Sequence, residues 1–97
     1  MIVSEDELGR AAADGLQHAR QAGRYLAELT GREPGGVVWL EAAEDGWQVG
    51  IEVVEERRVP SANDIIAIYE IRLAADGGLL SVRRTRRYYR SSMEDWT

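Results

Sequence analysis

Gly46-Trp-Gln-Val-Gly-Ile-Glu-Val-Val-Glu-Glu-Arg-Arg-Val-Pro60 is the stretch whose reading decides the fold. Trp47, Val49, Ile51 and Val53 recur at every second position, with Gln48, Gly50 and Glu52 between them. A period of two marks a strand with one buried and one wetter face, since successive strand side chains point to opposite sides. Asp45-Gly46 in front reads as a hairpin turn, because Gly accepts the backbone angles that tight turns need. Pro60 behind it has no N–H to continue a ladder. The remaining segments are read as partners for this strand or as cover for its apolar face.

Upstream, Ser4-Glu-Asp-Glu7 has the form of a capping box, with Val3 and Leu8 placed as a hydrophobic staple. Leu8, Ala11, Ala12, Leu16, Ala19, Ala22, Leu26 and Leu29 follow at helical spacing and predict the buried stripe of one long amphipathic helix. Arg10, Asp14, Gln17, Arg20, Gln21, Arg24 and Glu28 take the other side. Gly31 suits the position just past the helix, and Pro34 prevents its resumption. The stripe is mostly Ala with Gly15 and Gly23 nearby, and each Gly costs a helix about 1 kcal/mol relative to Ala. Close approach of a sheet would offset that cost.

Downstream, Val37-Val-Trp-Leu-Glu-Ala-Ala43 reads as a first strand and Arg57 to Asn63 as a loop. A third strand places Ile65, Ala67, Tyr69, Ile71 and Leu73 on one face, and Ile66 and Ile68 on the other. Asp76-Gly77-Gly78 reads as the next turn and Leu79 to Tyr89 as the fourth strand. The predicted spans are a helix over about 4–31 and strands over about 36–43, 46–58, 64–75 and 79–89. Residues 90–97 are expected to be a frayed tail. Hairpins join antiparallel neighbours, so the expectation is one α+β domain, 1–97: an N-terminal amphipathic helix packed on a four-stranded antiparallel meander sheet.

Composition bounds the function. There is no Cys among the 97 residues, which excludes disulfides, thiolate metal sites and Cys nucleophiles. Net charge is −5, and all 12 basic residues are Arg, which is read as the coding bias of a GC-rich genome. Charge is lopsided: residues 1–56 hold 12 acids and four Arg (−8), while residues 57–97 hold eight Arg and five acids (+3). Such asymmetry permits head-to-tail contacts or an acidic partner. No apolar run reaches the ~18–20 residues of a membrane span, and the acidic N-terminus does not resemble a signal peptide, so a cytoplasmic protein without membrane contact is expected.

Few residues propose chemistry. His18, the single histidine, has no carboxylate cluster at metal-ligand spacing and is read as a surface or half-buried side chain. The glycines match neither a P-loop nor a dinucleotide fingerprint. Glu52, Glu55 and Glu56 are read as partners for arginines on neighbouring strands rather than as a carboxylate site. Neither a catalytic residue, a metal site nor a cofactor is expected. Val82-Arg-Arg-Thr-Arg-Arg-Tyr-Tyr-Arg90 is the sharpest local feature. Simple alternation puts Arg84 and Arg86 on one face and Arg83 and Arg87 on the other, as suits an outer strand guarded against edge-to-edge aggregation. Its Arg and Tyr residues could instead contact phosphates and stack on bases, but a pI near 4.8 argues against a nucleic-acid partner. The candidate partner-binding residues are Ile66, Ile68, Arg83, Arg84, Arg86, Arg87, Tyr88 and Arg90. Ile66 and Ile68 would form an exposed apolar patch wherever the helix leaves their face uncovered, suited to a homodimer or a second protein.

Gly46-Trp47, Val49, Glu52-Val53-Val54-Glu55, Arg58-x-Pro60, Asp64, Tyr69-Glu70, Asp76-x-Gly78 and Arg87-Tyr88-x-Arg90 stand in an order that resembles the gas vesicle protein O family (GvpO). Leu26-x-x-Leu29-Thr30-Gly31 is similar to that family's helix end; Val82 departs from it, standing where the family carries an aromatic. The resemblance implies a non-enzymatic accessory protein of gas vesicle formation, cytoplasmic or associated with the vesicles. It would act through contacts with other vesicle proteins, accessory or shell, during assembly or its regulation. The alternative is a small nucleic-acid-binding regulator that uses the Arg/Tyr strand.

Overall fold

The computed structural model describes residues 5–91. A helix, α1 (Glu5–Thr30), precedes four strands: β1 (Val37–Ala43), β2 (Gly46–Glu56), β3 (Ile65–Ala74) and β4 (Leu79–Tyr89). The strands form one antiparallel sheet in the order β1-β2-β3-β4. This is the α+β meander expected from the alternation around Trp47. A short 3-10 turn, Ser61–Asn63, lies between β2 and β3 after a cis Val59–Pro60 bond. The capping box and staple at Val3 and Ser4, and Trp96 in the tail, lie outside the described residues. At its other end α1 stops as expected: Gly31 takes φ 69°, and its N–H donates to Ala27 O at 2.9 Å.

Two cores sit on opposite faces of the sheet. Beneath the helix, Ala19, Ala22 and Leu26 pack on Val49, Ile51, Val53, Ile71 and Leu73, with Leu40, Tyr25, Tyr69 and Val82 at the margin. On the face away from the helix, which no other helix or strand among the described residues covers, Ile66, Ile68 and Tyr88 cluster with Trp39 and Val54. A Cβ on Gly50 would overlap the Trp39 ring. The glycine thus lets an indole lie flat over β2, opposite its own position in the register.

Three expectations are corrected here. The helix presents Gly15, His18, Ala19, Ala22 and Leu26 to the sheet, while Leu16 and Leu29 stay 54% and 61% exposed. The rotation is fixed at Gly15, where an added Cβ would lie 2.9 Å from the Trp47 ring and 3.1 Å from Leu40. That close approach accounts for one helical glycine; Gly23 meets nothing nearer than Pro34 at 3.7 Å. His18 is buried rather than superficial, at 6% exposure. Ile66 and Ile68 are likewise buried, at 1% and 7%, although they face away from α1. Tyr88, Trp39 and Val54 close over that face instead, so the expected exposed apolar patch is absent there.

Candidate functional site

β4 is an edge strand, and its side chains are set by a register shift between Ile68 and Tyr69. Arg84 stands opposite Tyr69 and Arg87 opposite Ala67, so both point to the helix side. Arg83 opposite Glu70 and Arg86 opposite Ile68 share the other side. This corrects the simple alternation, which paired Arg84 with Arg86; the irregularity at Thr85 reverses the phase halfway along the strand.

Each side then finds its acids. Glu55, only 12% exposed, lies 3.1 Å from Arg84 Nη1 and 3.3 Å from Arg87 Nε. On the uncovered face, Arg83 Nη2 meets Glu70 Oε1 at 3.2 Å, yet the arginine side chain stays 70% exposed. The Arg86 guanidinium lies 5.2 Å from the centre of the Tyr88 ring, a cation–π distance. Burial raises the Tyr88 hydroxyl above its ordinary pKa of 10.0, and the negative charge of Glu52, to which it is hydrogen-bonded, adds to the shift.

Arg90 belongs to a second cluster. Asp64, 2% exposed, accepts the Arg58 N–H at 2.7 Å and the Arg90 guanidinium at 3.1 Å. The Arg90 N–H donates back to Asp64 O at 2.9 Å, and that of Ser91 to Ala62 O at 3.1 Å. Arg90 and Ser91 are therefore tied down rather than frayed. The Arg58 N–H holds the Asp64 carboxyl below its ordinary value of 3.8; Arg90 assists, and burial opposes. This one carboxylate anchors both ends of the Arg57–Asn63 loop and leaves Val59 at its tip 99% exposed.

The third cluster joins α1 to the β3–β4 turn. His18 Nδ1 lies 2.8 Å from Asp14 O, and Nε2 lies 3.1 Å from Ala75 O and 3.2 Å from Ala74 O. Trp47 Nε1 donates to the Asp14 carboxylate at 3.1 Å, and the Tyr25 hydroxyl donates to Gly77 O at 3.3 Å. An open polar groove runs beside this contact, lined by Arg20, Gln21 and Arg24 on the helix and by Ala75 to Gly78 on the turn.

The eight sequence candidates thus divide among several settings. Arg83, Arg84 and Arg87 line one strand with their acids, Arg86 lies against Tyr88, Arg90 serves Asp64, and Ile66, Ile68 and Tyr88 form the second core. Asp14 and the buried role of His18 were not singled out by sequence, and Asp64 stood out only among the residues of the family resemblance. An Asp four residues before a His on one helix was the available signal for Asp14 and His18; for Asp64 the resemblance marked the position but not its role as a loop anchor. Among the described residues no three His, Asp or Glu side chains converge to hold a metal ion. No helix among them is long and apolar enough to cross a membrane.

The family model described as "Gas vesicle synthesis protein GvpO" matches residues 4–94. Curated relatives include "Gas vesicle protein O" of Streptomyces sp. (strain CB03234), 48% identical over 73% of this chain, and that of Haloferax mediterranei, 38% identical over 86%. "Gas vesicle protein O1" of Halobacterium salinarum is 35% identical over 79%. The matched regions span 56%, 58% and 62% of those relatives' own lengths. No solved structure matches. The ordered motifs around β2 and β4, the match over nearly the whole chain and the three relatives agree: the chain belongs to the gas vesicle synthesis protein GvpO family.

Proposed function

We propose that this protein is a non-enzymatic accessory factor of gas vesicle formation, working in the cytoplasm through contacts with other gas vesicle proteins. The observation that carries the reading is the edge strand β4, whose arginines stand over an internal frame of acids while Arg83 keeps most of its surface in solvent. Cations on both sides of this edge, Arg84 held by Glu55 and Arg83 by Glu70, are suited to an acidic protein surface that wraps the strand. Arg83, Arg84, Arg86 and Arg90 make the contact in this reading, with Arg87 and Tyr88 supporting them from within. The test is vesicle complementation by Arg83→Glu with Arg86→Glu, beside pull-downs of the accessory and shell proteins. Loss of vesicles and of capture by a folded variant supports the proposal; normal vesicles overturn it.

The nucleic-acid alternative is not favoured, since Glu55, Glu70 and Asp64 offset the arginine charge and the chain is acidic overall. Phosphate contacts would make binding fall steeply with salt. Tight, salt-sensitive binding of DNA or RNA by the wild type would restore that alternative.

A further inference from the structure

We infer that β1 of one copy pairs with β4 of the next, so that the chain assembles head to tail into a continuous antiparallel sheet. The argument begins with strand parity. In a four-stranded antiparallel meander, β1 and β4 run in opposite directions. A second copy displaced sideways, without being turned over, therefore brings its β1 antiparallel to β4 of the first. Its helix stays on the same side of the sheet. Among the described residues no strand covers either edge.

The two edges differ in a complementary way. β1, Val-Val-Trp-Leu-Glu-Ala-Ala, has neither a Pro nor a basic residue to guard its edge; its one irregularity lies at Val38, which leaves Trp39 to Ala43 regular, and Val37 and Val38 stay 50% and 45% exposed. β4 is arginine-rich, which opposes pairing with a second β4 but not with an acidic or apolar edge; its irregularities at Leu80 and Thr85 leave Ser81 to Arg84 as the regular stretch available for pairing, and Leu79 and Leu80 are exposed at its start. Reading across the rows of the sheet gives Leu40–Val49–Ile71–Val82, Trp39–Gly50–Glu70–Arg83 and Glu41–Gln48–Arg72–Ser81. Continued into a neighbour, these rows place Leu40 beside Val82 and Trp39 beside the exposed Arg83. Glu41 falls beside Ser81 and diagonal to Arg83, within reach of a long side chain. Apolar meets apolar, the indole meets a cation, and the acid meets a base.

Other pairings fit less well. β4 against β4 would set arginines against arginines, and β1 against β1 would leave the charge difference between the edges unused. A heterologous contact of this kind repeats without closing unless its rotation completes a ring. Twist of roughly 20–25° per strand turns each copy by about 80–100° relative to the last, giving a helical ribbon.

The test uses charge reversal on exposed positions, followed by sedimentation velocity at low salt. Wild type should grow in mass with concentration beyond a dimer. Glu41→Arg alone and Arg83→Glu alone should each weaken association by about tenfold, since each replaces an attraction by a repulsion. An equimolar mixture of the two should recover it: one contact then joins the two reversed side chains, and the next joins the two native ones. Circular dichroism confirms that each variant is folded. A wild type that stays monomeric, association limited to a dimer, a mixture without recovery, or an Arg83→Glu variant that assembles normally would each overturn the proposal.

Discussion

His18 on α1 lies with Nε2 3.1 Å from the carbonyl oxygen of Ala75, 57 residues further along the chain. Its other ring nitrogen faces Asp14 O at 2.8 Å. A neutral imidazole carries one N–H and can donate to one of these acceptors; the imidazolium donates to both. The helix and the β3–β4 turn are thus joined by a side chain whose bonding is complete only when it is charged.

That relationship predicts a pH dependence. Burial lowers the His18 pKa, but the Asp14 and Ala75 carbonyls, the Asp14 carboxylate at 3.4 Å and the Ala74 carbonyl outweigh it, so the pKa lies above its ordinary 6.5. From β2 the imidazole meets the Trp47 ring, 5.8 Å away between centroids. A raised folded-state pKa gives stability that is fully present below the unfolded value and lost as pH rises through the folded one. The thermal midpoint should therefore fall on going from pH 6 to pH 8.5, and His18→Gln should abolish that slope. Parallel curves for both proteins would refute the assignment.

Asp64 predicts the opposite sign at the acid end. Its pKa is lowered, so its contribution is present above the ordinary 3.8 and is lost as pH falls through the folded value. Asp64→Asn should lower the midpoint at pH 7, because the Arg90 guanidinium loses its charged partner. The gap should narrow as pH falls below the ordinary 3.8, where the carboxyl of the unfolded chain takes up its proton before that of the folded one. A gap that stays constant from pH 7 to pH 3 would show that the charge is not what holds the loop.

The strands were legible because period-two alternation survives any tertiary setting that buries one face. Trp47, Val49, Ile51 and Val53 declared β2, and the turn glycines declared the hairpins. The phase of α1 was less legible, because a stripe of Ala and Leu is nearly as apolar at Leu16 and Leu29 as at Ala22 and Leu26. The choice between them is made by Gly15 against Trp47, a contact between residues 32 apart. The arginine faces were misread because the register shift near Thr85 has no marker in the local sequence. The second core was missed because Gly50 and Trp39 seemed unrelated until β1 paired with β2.

Gly50 supplies a prediction that checks this core directly. Gly50→Ala puts a methyl group into the space of the Trp39 ring and forces the indole off the sheet. Overpacking of this kind costs roughly 1–3 kcal/mol. The denaturation midpoint should drop by that amount, with a change in tryptophan fluorescence. An unchanged midpoint and spectrum would mean that the indole has room to move.

The last prediction separates a core position from a binding position. Ile68 has the alternation of a solvent-facing residue, yet it is 7% exposed beneath Tyr88 and Trp39. Ile68→Asp would therefore bury a carboxylate away from water, beside apolar neighbours. Burial of an unpaired charge is among the most destabilising single changes, on the order of 3 kcal/mol or more. Ile51, 1% exposed in the core under the helix, provides the comparison, and its truncation to Ala should cost about 2–5 kcal/mol. Urea titration of both variants should show losses of similar size, one from each face of the sheet. If Ile68→Asp unfolds at the wild-type midpoint while Ile51→Ala does not, the uncovered face is an open surface and the second core contributes nothing to stability.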